Sequence, residues 1–192
     1  MTIKRDLEGF IGQHDMFNPD KPIDFGDCSR SMGITALFGM DNSAYLCTKL
    51  HLGNGLCVRH PSQIPWNNPW NFSRDQMIPL VTGLWAGGYR EICDSILVGR
   101  IRRLTSYLSL CQNKDLLAPN HMLMLHKCAN IEPYYFLKIL GWAFHWLNML
   151  WFCFIKPYAE QNQFICEVSV FGTKETYKKL HPDYKRAINI YW

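Results

Sequence analysis

The window from 134 to 155 constrains this chain more than any other. It runs for 22 residues with only Lys138, His145 and Asn148 polar. As a helix it covers roughly 33 Å, long enough to cross a bilayer. At about 100° per residue, Lys138, Gly141, His145 and Asn148 fall within a sector of about 80°. One narrow polar or small stripe on an apolar helix suits two structures. The first is a central helix of a globular domain that touches a wet cleft. The second is a membrane helix whose polar groups face a partner. Trp142, Trp146 and Trp151 lie inside the window, whereas an interfacial aromatic belt would place them at its two ends. A buried core helix is therefore the first expectation, and a membrane anchor through 134–155 the alternative.

The remaining pattern is helical. A chain of 192 residues is expected to form a single helical domain over 1–192. Residues 1–27 read as irregular, since His14 to Asp27 holds Pro19, Pro22, Gly26 and four aspartates. Asp27 suits the N-cap of a helix over 29–40. Residues 53–72 form a long loop rich in Trp, Asn and Pro. Ser73 and Gln76 match a capping box opening the next helix, and Pro79 predicts a kink or restart within it. Further helices are expected over 91–110, 119–129 and 134–155, with an extended stretch over 168–171. Two short helices, 173–180 and 183–191, close the chain. The fold class is mainly α, built of helical hairpins, with about seven helices and no convincing set of strands.

Charge and cysteines narrow the function classes. Residues 1–98 carry 8 Lys+Arg against 10 Asp+Glu, and residues 99–192 carry 12 against 6. The basic residues are scattered and accompany no nucleic-acid signature, so no nucleic-acid partner is expected. The 8 cysteines show no C-x-x-C spacing, and the first ten residues lack a secretory apolar run. Reduced thiols packed as small hydrophobes in the cytoplasm are the expectation, the membrane being the alternative location. His121 and His126 are five apart and fall on different helix faces, so no metal and no cofactor are expected. No P-loop, dinucleotide fingerprint or nucleophile elbow is present.

Two stretches carry candidate chemistry. One is Asp24-Phe25-Gly26-Asp27-Cys28, and the other runs from Trp66 to Gln76. Each ends at an expected helix start. If the two starts face the same way, Asp27 and Asp75 line one cleft as a catalytic pair. One carboxyl would protonate a glycosidic oxygen and the other would activate water. Trp66 and Trp70 would stack on sugar rings, while Asn68, Arg74 and His60 would hydrogen-bond hydroxyls. The competing explanation is structural: Asp27 caps a helix, Asp75 favours the helix dipole, and the tryptophans staple the loop to the core. Asp115 is a weaker candidate for the same cleft.

The hairpin pattern, the Asn-Phe-Ser-Arg-Asp-Gln helix start and the closing Ala187-Ile-Asn-Ile-Tyr-Trp192 stretch resemble the (α/α)-toroid class, which includes glycosidases and polysaccharide lyases. The chain is also similar to bacteriophage and bacterial proteins with a Ser-Arg-Asp-Gln stretch after an Asn/Pro/Trp loop. The resemblance implies a sugar-binding cleft at the helix starts, formed by Asp27, Trp66, Trp70, Arg74 and Asp75. It also implies only a partial toroid, because twelve helices need a longer chain. Carbohydrate binding or hydrolysis is the first functional expectation. A non-enzymatic structural or host-interaction protein, with a protein partner on the tryptophan loop, is the second. A small membrane-associated protein is the third.

Overall fold

The computed structural model describes residues 2–15, 17–18, 20–40, 42–103, 118–151 and 161–172. Among them the fold is mainly α, with seven helices and two small antiparallel hairpins. Strands β1 (Thr2–Arg5) and β2 (Ile11–His14) pair in a register that sets Thr2 opposite His14. Then come α1 (Cys28–Leu37), α2 (Ser43–Thr48), β3 (His51–Gly53) and β4 (Leu56–Cys57). A 3-10 turn, Pro69–Asn71, precedes α3 (Arg74–Ala86) and α4 (Arg90–Arg102). The last three helices are α5 (Pro119–Cys128), α6 (Tyr135–Leu150) and α7 (Gln161–Phe171). The helices among the described residues differ in part from those expected. Helices α2 and α7 were not expected, α4 ends at Arg102 where a helix to 110 was expected, and the segments 104–110, 173–180 and 183–191 lie outside the described residues. A toroid arrangement is not established by this set.

Residues 2–14 form the β1–β2 hairpin where an irregular stretch was expected over 1–27, while the described residues of 15–27 are irregular as expected, apart from a bridge between Gln13 and Asp24. The Asp6 carboxylate accepts from the backbone N–H groups of Glu8 (3.0 Å) and Phe10 (2.8 Å), closing a turn that has no proline or Asn-Gly signature. The 53–72 loop likewise begins inside a hairpin. Asn54 (φ 52°) and Gly55 (φ 74°) both take the left-handed conformation that a tight two-residue turn demands. That Asn-Gly pair was the overlooked signal. Residues 168–171, expected to be extended, complete α7 instead.

The core is organised around α1 crossing α3. Met32, Met77, Ile78, Leu80 and Leu84 are fully buried there. Gly33 and Gly83 allow backbone to touch backbone: a Cβ on Gly33 would lie 2.2 Å from the Pro79 carbonyl oxygen, and one on Gly83 would lie 2.5 Å from the Gly33 oxygen. Helix α3 continues through Pro79 rather than restarting. Thr82 Oγ donates to the carbonyl oxygens of Ile78 (3.0 Å) and Pro79 (2.9 Å), anchoring the turn around the proline. The six described cysteines are free and buried. Burial raises the Cys57, Cys93 and Cys166 thiols to about 12, as suits core groups rather than nucleophiles.

Candidate functional site

The starts of α1 and α3 do lie together. Asp27 holds the N-cap position of α1 but makes no side-chain cap bond. Its carboxylate instead accepts from Gln13 (2.9 Å), from Gln76 Nε2 (3.1 Å) and from Arg30, with which it forms an ion pair. Arg30 also reaches Asp75 at 3.6 Å. Gln76 Nε2 lies 3.5 Å from Asp75, so both carboxylates converge on one amide and one guanidinium. The expected capping box is not formed. Gln76 is buried, and its Oε1 accepts from Ser29 Oγ (2.6 Å) and the Arg30 N–H (3.0 Å), tying α3 to α1. Ser73 Oγ donates to Asp75. Arg30 and Gln76 were missed as site residues. Arg30 stands three residues after Asp27 on α1, a spacing that pairs side chains on a helix.

Trp66 belongs to this cluster. Its ring packs against Gly26, and the Arg59 guanidinium sits 5.3 Å from the ring centroid. Arg59 donates to the carbonyls of Gly26 (2.8 Å) and Asn71 (2.6 Å). Trp70 stands out into solvent, 65% exposed, and Asn68 accepts from the Trp70 N–H (2.9 Å) to cap the 3-10 turn. His60 is fully buried between Phe10 and Phe25. Its Nδ1 accepts from the N–H groups of Ser62 (3.2 Å) and Gln63 (3.0 Å), so Nε2 carries the hydrogen and donates to Asp6 (2.9 Å). With both nitrogens committed, His60 latches the β1–β2 turn to the loop. The positive charge of Arg74 is felt at His121, whose pKa it lowers. Asp115 lies outside the described residues.

A second polar centre joins α5, α6 and α7. His145 Nδ1 donates to Glu167 Oε1 (2.6 Å), Asn148 donates to Oε2 (3.2 Å), and His121 Nε2 lies 3.8 Å away. Glu167 and His145 are both buried. Burial pushes the His121 imidazole down to about 4, against the upward pull of Glu167, and the positive charge of Arg74 deepens the depression. Among the described residues no group of three or more His, Cys, Asp or Glu is arranged to hold a metal.

This centre explains how α6 sits. Three of the four stripe residues face the protein: Gly141 and His145 are buried together with Met149, and Asn148 is half-buried, while Lys138 is exposed. Gly141 admits the side chain of Leu123 from α5, which a Cβ would meet at 2.5 Å. The apolar residues face outward. Tyr135, Phe136, Ile139, Phe144, Trp146, Leu147 and Leu150 are exposed, several by half or more. At about 100° per residue they span about half the circumference, with no charged residue among them. Both expectations for 134–155 are therefore revised as far as residue 151, and 152–155 lie outside the described residues. The helix is not surrounded by core, and no helix among the described residues is long and apolar enough to cross a membrane. Trp142 alone of its tryptophans packs against the core.

Beside the first turn of α6 lies a groove of about 410 Å³, lined by Arg90, His126, Lys127, Asn130, Glu132 and Lys138 among others. Neither protein-family models, nor curated proteins, nor solved structures give a match to this chain.

Proposed function

We propose that the protein binds a membrane surface through α6, with the helix lying in the plane of the bilayer interface. The carrying observation is the uncharged, apolar half of α6 turned away from the protein. A soluble surface helix orients its apolar stripe to the core, and large exposed apolar patches mark contact with another phase or molecule. The 16 residues Tyr135–Leu150 cover about 24 Å along the protein's surface, as a helix lying in the interface plane would. Tyr135, Trp146 and Trp151 supply rings that prefer the headgroup boundary.

The test is co-sedimentation with phosphatidylcholine vesicles. Inserting a large apolar side chain stabilises by roughly 1.5–3 kcal/mol, so Ile139→Glu with Leu147→Glu should weaken binding about a hundredfold or more. Both residues are over half exposed, and the melting temperature should barely move. Wild type that ignores vesicles, or a variant that binds as well as wild type, overturns the reading. So does a wild-type dimer that the same substitutions dissociate, because α6 would then be covered by a second copy.

The helix-start cluster favours a second reading, carbohydrate binding. Two carboxylates and an indole ring share one surface there, a set that accepts sugar hydroxyls and stacks on a sugar face. Arg30 between the carboxylates suits binding better than acid catalysis, which needs a carboxyl free to deliver a proton. Retention on peptidoglycan, chitin or cellulose should fall about tenfold in Trp66→Ala. No retention of the wild type on any of the three would sink this reading.

A further inference from the structure

We infer that the groove between α5 and α6 is the seat of an anionic phospholipid headgroup, with Arg90 and Lys127 as the phosphate-binding cations. The inference rests on α6 as the membrane-surface helix and adds a lipid class to it. The first turn of α6 contributes to both features: Lys138 lines the groove, while Tyr135, Phe136 and Ile139 belong to the exposed apolar face. A headgroup in the groove therefore has its acyl chains beside the apolar helix.

The charges of the groove fit an anion. Its acidic lining residue, Glu132, is taken up by Lys138 at 2.6 Å. Asp94, on the neighbouring helix, accepts from the backbone and side chain of Asn130. Among the described residues Arg90 donates to the neutral amide oxygen of Asn130, at 3.4 Å, and pairs with no carboxylate. Among the described residues Lys127 has no carboxylate partner; its ammonium lies 4.8 Å from the Trp142 ring centroid and 5.1 Å from that of Phe171. Two cations without acidic partners among the described residues thus share a concave site. Those two rings hold Lys127 at the junction of α5, α6 and α7. His126 adds no charge at neutral pH. Burial lowers its pKa, and its Nδ1–H donates to the Ile131 carbonyl at 2.8 Å. The polar rim is supplied by Asn130, and Leu123 and Pro133 give apolar walls.

The experiment compares vesicles of phosphatidylcholine alone with vesicles containing phosphatidylglycerol. Wild type should bind the anionic vesicles more tightly. Each basic side chain at an anionic surface is worth roughly fivefold, so Arg90→Ala with Lys127→Ala should remove about thirtyfold of that preference. Binding to phosphatidylcholine should remain, because α6 is untouched. Lys127→Arg should keep the preference, which separates charge from packing on Trp142. An unchanged preference in the double variant, or equal binding of wild type to both vesicles, overturns the headgroup assignment alone. Failure of wild type to bind either vesicle overturns the α6 reading itself.

Discussion

Gly33→Ala is expected to destabilise the protein by about 3 kcal/mol or more, enough to unfold a domain of ordinary marginal stability. In an exposed helix interior this change would stabilise by up to about 1 kcal/mol, because alanine loses less entropy than glycine. Here the sign reverses. The new methyl would lie 2.2 Å from the Pro79 oxygen, 2.3 Å from its carbonyl carbon and 2.6 Å from the Leu80 nitrogen. These are backbone atoms of α3 and cannot swing aside as a side chain would. The two helices must separate, and the fully buried Met32, Met77, Ile78 and Leu80 lose close contact. A urea midpoint measured by circular dichroism checks this. Gly39→Ala is the control: it has open space and only a positive φ of 73°, and should cost about 1 kcal/mol. Equal costs at the two sites would show that α1 and α3 do not meet as described.

Glu167→Ala should cost roughly 3–5 kcal/mol, by leaving the buried His145 Nδ1–H and the Asn148 amide without their acceptor. The loss should appear in the same denaturation measurement and should loosen α6, because His145 and Asn148 are the groups that turn this helix toward α7. A second variant separates charge pairing from packing. Replacing Glu167 and His145 together with leucine removes donor and acceptor at once and should recover much of the stability. A Glu167→Ala cost below about 1 kcal/mol would mean that apolar packing alone orients α6.

The legible parts of this fold were those decided by local periodicity. Helices α3 and α5 start and stop, and α4 starts, close to where Ser73, Gly87-Gly88 and Pro119 place them, whereas α4 ends at Arg102 instead of running on to 110. The sequence places Asp27 and Asp75 in one cleft below Trp66 and Trp70 only if the two helix starts face the same way; Asp27, Asp75 and Trp66 do lie together, and Trp70 stands out into solvent. What local pattern misassigned were side chains with two feasible partners. Gln76 satisfies a capping-box spacing, but α1 lies close enough to take its amide instead. Asp27 satisfies an N-cap rule, but Arg30, Gln13 and Gln76 compete for its oxygens and win. His60 looks like a loop histidine and is in fact enclosed by Phe10, Phe25 and the Asp6 turn, all distant in sequence.

By itself the sequence determined that 134–155 contains an apolar helix carrying one polar stripe, because helical periodicity depends on residue order alone. Which side of that helix meets the protein was decided only by tertiary structure. A hydrophobic pattern carries no sign until its partner is known, and here the partner is Glu167, a buried carboxylate that needs His145 and Asn148. Satisfying that carboxylate turns the polar stripe inward and leaves Trp146, Leu147 and their neighbours facing out.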